Sequence, residues 1–598
     1  LISEVGQKLG SLQTGTHGKC FPVGPKFLFK EVTVSEDDKD EQFYRDTESI
    51  AFPKLDDRQL AQLSPLGQRR TVRQGEILFR AGQRDLGMTV LISGVLEAVE
   101  IRDGKELVLA TPGPRDFVGD LAMLTGNASL VNVRGKAEVS EVLVIGAADL
   151  RRALSELPGL GEIIVNALMM RRTRLQRDHE FAGIRIVATA GSRDGHQLDD
   201  FLDKNHVLHR LIDPESEEGR ELCQRLDINL RDLPALIQSN GLPLRRPSIR
   251  EVAQIAGLMH HLAHEGETEV LCDLAIVGAG PAGLAAAVYA ASEGLKTVVL
   301  ESYAPGGQAG SSSLIENFFG FPTGVSGGDL TNRAQLQAYR FGAHFSTPSQ
   351  ALSLGFRDGV YGAELQIEGC LATLRAKCVL IATGAQYNRI DAEGREGFEG
   401  LGVYYAATAM ESKLCRGATV IVAGGGNSAG QAAMFLSESA QKVLLVIRGD
   451  NLAKSMSSYL SQRVETKDNI EILRTTEIRK MTGGAKLEAV ELENVATGER
   501  RTVEACAVFS MIGAKPCTRW LPPEIERDEK DFVKTGAAVV DAPAWKGMNR
   551  KPGPLETSRP GVFAAGDVRS GSVKRCGAAV GEGGMAVEGI HQALGTYT

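Results

Sequence analysis

Apolar and polar positions alternate through the early part of the chain, and the pattern then changes. Between residues 55 and 110 the runs 70–72, 77–80, 89–101 and 106–110 are punctuated by Gly75, Gly82, Gly94 and Gly104. Period-two runs cut by glycine predict the short strands of a β-roll. A helix at 57–63 precedes them, and a longer one from 149 to about 178 closes the segment. From 184 to about 260 the order is strand, helix, strand (207–212), helix (216–226), strand (233–238), strand, helix (248–258). Asn240-Gly241 is a hairpin signal between the last two strands. Beyond 273, short apolar strands run into glycine clusters and small-residue helices. Residues 1–50 are polar, with the acidic run Glu36-Asp37-Asp38-Lys39-Asp40-Glu41, and predict a flexible extension.

The chemistry is densest between Asp273 and Glu301. A strand over 274–277 enters Gly278-Ala279-Gly280-Pro281-Ala282-Gly283, a small-residue helix follows, and a second strand over 297–300 ends on Glu301. Gly278 permits a tight turn, Gly280 lets the backbone approach a pyrophosphate, and Gly283 lets helix and strand pack closely. The helix N-terminus offers free N–H groups and the positive end of its dipole to the phosphates. Glu301 is placed for the hydroxyls of an adenosine ribose. A second such unit reads strand 419–423, Gly424-Gly425-Gly426-Asn427-Ser428-Ala429, helix to Leu436, and strand 442–447 ending in Arg448. Arg448 suits a 2′-phosphate, which an acid would repel, so NADPH is expected here, with NADH as the alternative. Lys454 is placed to assist.

Composition sets the bounds. A chain of 598 residues holds several domains, because a single core stops growing near ~250–300 residues. A net charge of −8 gives no support to a nucleic-acid partner. No apolar run predicts a membrane span, and no secretory signal is evident at the first residue given. Nine cysteines, at 20, 223, 272, 370, 378, 415, 506, 517 and 576, show neither C-x-x-C nor zinc spacing, which argues for reduced thiols in a cytoplasmic protein without a metal site. His260, His261 and His264 read as exposed linker residues.

Three resemblances follow. The segment around Arg73-Gln74-Gly75-Glu76 and Phe117-Val118-Gly119-Asp120-Leu121 resembles the cyclic-nucleotide-binding domain of the catabolite-activator type. The arginine that binds the cyclic phosphate in that family is absent from Asn127-Ala128-Ser129-Leu130, leaving backbone N–H groups and Ser129. Another nucleotide-like ligand or a structural role stays open. No helix-turn-helix follows, which excludes a DNA-binding regulator. Residues 183–260 resemble a thioredoxin or glutaredoxin fold with Leu233-Pro234 at the cis-proline place. Ser192-Arg193-Asp194-Gly195-His196 stands where the redox cysteines belong, and Cys223 reads as packing.

Residues 273–598 resemble the thioredoxin-reductase family of flavoproteins. Ala304-Pro305-Gly306-Gly307-Gln308, Asn317, Thr383-Gly384 and Gly566-Asp567 match its flavin-contact positions, and Arg575-Cys576 falls where that family approaches the flavin ring. The resemblance implies FAD, NADPH and a homodimer. It breaks at the redox site: after Gly402-Val403-Tyr404-Tyr405 comes Ala406-Ala407-Thr408-Ala409-Met410, so alanines stand at both C-x-x-C positions. Alanine cannot form a mixed disulfide, and Cys415 nearby reads as a single thiol.

The expected architecture is multidomain: a flexible extension (1–50), a cyclic-nucleotide-binding-like β-roll with closing helix (51–180), an α/β thioredoxin-like domain without C-x-x-C (183–260), a linker (261–272), an FAD-binding domain (273–390 and 512–598) and an inserted NAD(P)H-binding domain (391–511). The expected activity is FAD-dependent NAD(P)H oxidation that passes electrons to a small-molecule or protein acceptor. The alternatives are a ferredoxin–NADP reductase-like enzyme, for which only Tyr597 offers a C-terminal aromatic ring, and a non-catalytic redox sensor.

Overall fold

The computed structural model describes residues 36–598 except 85, 103–104, 130, 178–182, 190–191, 239–240, 260–261, 263–266, 313, 361, 408, 485 and 596–598. The side chains of 36–41, 102, 176 and 409–410 also lie outside the description. Expectations resting on His260, His261, His264, Asn240, Thr408 and Tyr597 therefore fall outside the described residues. Contacts divide the chain between Thr47 and Glu48, and everything from Glu48 onward is one compact unit.

Residues 36–50 differ from the flexible extension expected of them: they are helical in α1 (Glu36–Ala51). α2 (Asp57–Leu63) follows as read from the sequence, started by a capping box in which the Asp56 carboxylate accepts from the Gln59 N–H and the Gln59 side chain accepts in return. The roll is built from two four-stranded sheets. Its strands are β1 (Gln68–Arg73), β2 (Ile77–Phe79), β3 (Met88–Ser93), β4 (Leu96–Arg102), β5 (Lys105–Ala110) and β6 (Phe117–Val118), then, after the short α3 (Ala122–Thr125), β7 (Asn132–Gly135) and β8 (Val139–Ile145). One sheet runs β1-β8-β3-β6 and the other β2-β7-β4-β5. The single run expected over 89–101 is two strands, because Gly94 adopts a φ of 88° and turns the chain. The single closing helix is also two, α4 (Ala147–Glu156) and α5 (Pro158–Arg177). Pro158 has no N–H to continue α4 but is tolerated in the first turn of a new helix. Leu150, Leu154, Ile164 and Leu168 from these helices close the roll's core over Leu91, Phe117 and Leu143, and Leu336, from far along the chain, joins them.

The second region has one sheet, of order β10-β9-β11-β12, from β9 (Ile184–Val187), β10 (His209–Ile212), β11 (Ala235–Ile237) and β12 (Pro243–Arg245). β9 and β10 are parallel and the other pairs antiparallel, the arrangement expected of a thioredoxin-like unit. Its helices are α6 (Arg193–Lys204), α7 (Glu217–Arg225) and α8 (Ile249–Ile255), and the Leu233–Pro234 peptide bond is cis. Cys223 packs half-buried against Val187, Ile212 and Ile237.

The third region holds a seven-stranded sheet. Its path is β15-β14-β13-β18-β17-β16, with Val562–Ala564 added alongside β18. β13 spans Glu269–Val277, so the strand begins inside the expected linker of 261–272. It is followed by α9 (Pro281–Ser292), β14 (Thr297–Leu300), the single turn α10 (Gly307–Gly310), α11 (Gly327–Arg340), β15 (His344–Ser346), β16 (Ala351–Phe356), β17 (Ala363–Ile367) and β18 (Thr373–Ile381). β19 (Ala385–Tyr387) then leads into the inserted α/β unit, in which β20 (Val403–Tyr404), β21 (Thr419–Ala423), β22 (Lys442–Val446), β23 (Ile470–Leu473) and β27 (Ala507–Ser510) form a parallel sheet in the order β20-β27-β21-β22-β23. Its helices are α12 (Ala409–Leu414), α13 (Asn427–Leu436) and α14 (Ser458–Thr466). A three-stranded antiparallel sheet, β24 (Thr476–Gly483), β25 (Leu487–Asn494) and β26 (Arg500–Glu504), accompanies it. The chain returns through β28 (Ala514–Pro516), which pairs with β19, so two antiparallel strands join the two α/β units. α15 (Cys576–Gly595) packs against α9.

Candidate functional site

The first cleft opens at the ends of β13 and β14, where the chain turns into α9. A Cβ on Gly283 would lie 1.9 Å from the Gly278 carbonyl oxygen, so only glycine lets α9 sit this close to its strand. A Cβ on Gly307 would come within 3.1 Å of the Gly280 Cα, so a second loop lies directly across from the first. The Gly306 N–H donates to the Ala279 carbonyl at 2.8 Å and holds the two loops together. Glu301 is buried, and its carboxylate accepts from the Ala279 N–H (2.8 Å) and the Tyr303 N–H (3.0 Å). Burial pushes its carboxyl above the usual range, while these hydrogen bonds pull the other way. Ala282 is buried in the first turn of α9.

Other predicted residues collect around the same cleft. Gln308 Nε2 donates to the Ala385 carbonyl at the start of the linker strand β19. Thr383 Oγ1 donates to the Cys517 carbonyl (2.8 Å), and the Cys517 N–H donates to the Gly384 carbonyl (3.1 Å), so the crossover loop is tied to the returning chain. The Gly566 N–H donates to Glu582 Oε2 at 2.7 Å, and Glu582 forms a 2.5 Å ion pair with Arg569, which fixes the Gly566-Asp567 turn. Burial pushes the Asp567 carboxyl up, and Lys574 Nζ donates to the Asp567 backbone carbonyl. Arg575 and Cys576 stand at the start of α15, with the Cys576 thiol pushed up to about 11 by burial. It therefore stays protonated at neutral pH, in keeping with a packing role. Asn317 is exposed, on the loop that follows α10. Cys517 and Glu582 carry no motif of their own, and only the fold brings them to the cleft.

The second cleft lies at the end of β21. A Cβ on Gly424 would fall 2.4 Å from the Met511 carbonyl oxygen, and Ala429 is fully buried against that turn. Gly426 caps α13. Asn427 Oδ1 accepts from the Ser457 N–H (2.8 Å), and Ser455 Oγ donates to the Gly425 carbonyl (2.8 Å), so a neighbouring loop braces the glycines. Arg448 is exposed at the end of β22 and makes no ion pair among the described residues. Lys454, expected to assist it, is instead paired with Asp450 at 2.8 Å. Ser428, at the mouth of this cleft, hydrogen-bonds the Tyr387 hydroxyl, and Tyr387 also lies within electrostatic reach of Asp567 in the first cleft.

The thiols require one correction. Cys415 is not a single thiol: it hydrogen-bonds Cys506, which the sequence left unassigned. Cys506 precedes β27, with its N–H bonded to the Thr419 carbonyl at the start of β21, and Cys415 packs beneath in the same core. Both thus sit at the N-terminal end of the parallel sheet, roughly 15 Å along the strands from the glycine loop at its other end. Ala406, at one of the two expected cysteine positions, is half-buried just before α12.

In the roll, the loop expected to hold a cyclic phosphate is engaged with itself. Ser129 Oγ donates to the Val131 carbonyl and accepts from the Val131 N–H. Asp120 Oδ1 accepts from the Ala122 N–H (2.9 Å) and lies within electrostatic reach of Arg172 and Arg171 on α5.

The family profile described as pyridine nucleotide-disulphide oxidoreductase matches residues 272–583, and that of the cyclic nucleotide-binding domain matches 69–156. The thioredoxin reductase of Treponema pallidum (strain Nichols) is 34% identical over 314 residues, covering 52% of this chain and 94% of that protein. The NADPH-dependent thioredoxin reductase 3 of Arabidopsis thaliana is 32% identical over 325 residues, covering 53% and 57%. The crystal structure of Lactococcus lactis thioredoxin reductase aligns over 54% of this chain and 99% of its own, at 26% identity and a TM-score of 0.49.

Proposed function

Because the chain belongs to the pyridine nucleotide-disulphide oxidoreductase family, as an FAD-dependent oxidoreductase resembling thioredoxin reductases, we propose that it oxidises NADPH and passes the electrons to an acceptor outside the chain without an internal dithiol. The observation that carries this reading is Tyr387. On the strand joining the two α/β units, it hydrogen-bonds Ser428 of the second glycine loop and lies within electrostatic reach of Asp567 in the first cleft, so one side chain is close to both clefts.

The residues of the first cleft fit FAD. Two glycine loops too close for side chains leave room only for a backbone-held phosphate pair, and the buried Glu301 carboxylate keeps lone pairs for ribose hydroxyls. Gly278, Gly280, Ala282, Gly283 and Gly307 would hold the pyrophosphate, and Glu301 the adenosine end. Gln308, Asn317, Thr383, Gly384, Gly566, Asp567, Arg575 and Cys576 would surround the rest. Bound FAD supplies two-electron chemistry between a reduced nicotinamide and an acceptor. In the second cleft Gly424, Gly426, Asn427, Ser428 and Ala429 would take the NADPH pyrophosphate and Arg448 its 2′-phosphate. Arg448 is solvated and uncommitted, whereas Lys454 is already neutralised by Asp450.

The absence of a relay rests on Ala406 and Ala409 and on the place of the Cys415–Cys506 pair, at the far end of the sheet from the nucleotide loop. An external disulfide, a quinone, an iron–sulfur protein and oxygen are the acceptor classes to screen. The deciding experiment is anaerobic stopped-flow reduction at the flavin band, NADPH against NADH. Fast bleaching by NADPH is expected. No bleaching with either nucleotide sinks the reading and leaves a redox sensor.

A further inference from the structure

Where the three regions of the chain meet, a small cavity of about 30 Å³, partly open to solvent, is lined by residues of all three. Thr125 comes from the roll and Arg172 from its closing helix α5, His206 from the thioredoxin-like unit, and Asn332, Gln335 and Thr347 from the flavin-side unit. The roll's phosphate loop presses on this junction, since a Cβ on Gly257, just past α8, would lie 2.6 Å from the Ala128 Cβ.

Two lining atoms have no hydrogen-bond partner among the described residues. Arg172 Nε is buried and its N–H donates to no acceptor among the described residues, and Thr347, 7% exposed, has a buried Oγ1 that is likewise unpartnered among them. A buried guanidinium left this way costs free energy unless an acceptor reaches it. Asp120 is the carboxylate within its electrostatic reach, but burial depresses Arg172 more than Asp120 supports it. His206 is held neutral, pushed down to about 4 by burial and by Arg172, against the weaker pull of Asp329. The lining therefore includes one cation, four side-chain amides and three hydroxyls, more donors than the two oxygens of a carboxylate would use.

We propose that this junction binds the phosphate group of a small metabolite entering from the solvent side, with Arg172 and Thr347 as its donors. Asn127 of the roll's own loop also lines it, and an arginine of α5 stands in for the cation missing from Asn127-Ala128-Ser129. The site also touches the first cleft. Pro305 lines the cavity and directly precedes Gly306-Gly307, and Thr331 on α11 packs beneath that turn, so a Cβ on Gly306 would meet Thr331 Oγ1 at 2.8 Å. The site thus adjoins the loop opposite Gly280, which is why flavin fluorescence is a readout of its occupancy.

The test titrates the full-length flavoprotein with inorganic phosphate at constant ionic strength, by calorimetry and by flavin fluorescence, with chloride and acetate as controls. Saturable phosphate binding with a fluorescence change is expected. It should weaken by about tenfold or more in Arg172→Gln, weaken in Thr347→Val, and persist in Arg448→Gln, which separates it from the 2′-phosphate position. Flavin absorbance confirms folding in each variant. Should Arg172→Gln fail to fold, Thr347→Val decides alone. Phosphate binding no stronger than chloride, equal saturation by acetate, or undiminished affinity in Thr347→Val overturns the site.

Discussion

Arg463 Nη1 lies 2.5 Å from Glu316 Oε1, joining helix α14 of the inserted unit to the loop after α10 on the flavin side. The side chains are 47% and 26% exposed, so the pair is worth only about 0.2–1 kcal/mol. It is a weak latch across a two-strand connection. If catalysis needs the units to rotate, Glu316→Gln is expected to speed flavin bleaching by NADPH, by no more than about fivefold. High salt should produce the same gain in the native chain and none in the variant. A slower variant would mean that the paired arrangement is itself the productive one.

On the proposed reading of the second cleft, Arg448 distinguishes NADPH from NADH. Arg448→Gln removes a charge-assisted contact worth about 1.5–3 kcal/mol. KM for NADPH is expected to rise about 10- to 100-fold with NADH kinetics unchanged. Steady-state kinetics with both nucleotides check this, and an equal loss with NADH would remove Arg448 from the nucleotide site.

Gly283 tests the first cleft. Gly283→Ala places a methyl group 1.9 Å from the Gly278 carbonyl oxygen, with backbone as the obstacle. Destabilisation of about 1–3 kcal/mol is expected, together with loss of bound flavin. Thermal melting and the flavin-to-protein absorbance ratio read the two effects separately. Full flavin content in a stable Gly283→Ala protein would contradict the assignment.

The thiol pair makes a pH prediction. Cys415 donates to Cys506, which lowers the Cys506 pKa and, together with burial, raises that of Cys415. The thiolate is the reactive form, so Cys506 should alkylate at a pH below the ordinary cysteine value of ~8.5, and Cys415 only well above it. Cys415→Ala removes the donor and should move the Cys506 profile to higher pH. Iodoacetamide labelling followed by peptide mapping measures both. An unmoved profile would show that the hydrogen bond does not control reactivity.

What could be read from the sequence was local. Each glycine loop sits with its strand, helix and terminal Glu301 or Arg448 in one continuous stretch, so turn chemistry and charge announce it. The roll's strands were legible for the same reason, apart from the turn at Gly94 and the break at Pro158, where the apolar pattern runs on across a backbone interruption. Residues 36–50 misled because few apolar side chains read as disorder. Their Glu, Gln, Lys and Arg content favours a helix, and Gln42 Nε2 bonds Asp46 Oδ1 at 2.6 Å one turn along. The Cys415–Cys506 contact, the Glu582 clamp on Gly566 and the Arg172 cavity depend on segments far apart in the chain, and no periodicity reports such meetings.

Leu336 belongs to α11 on the flavin side, yet it is buried within the core of the roll beside residues such as Phe117 and Leu143. The roll is therefore not a passenger that can be clipped off. Expressed alone, it would carry a hole where this side chain inserts, and a flavoprotein lacking the roll would show a leucine to water. Heat or denaturant should melt the two together in one transition, and a nucleotide that tightens the flavin side should also slow the opening of strands more than two hundred residues earlier in the chain.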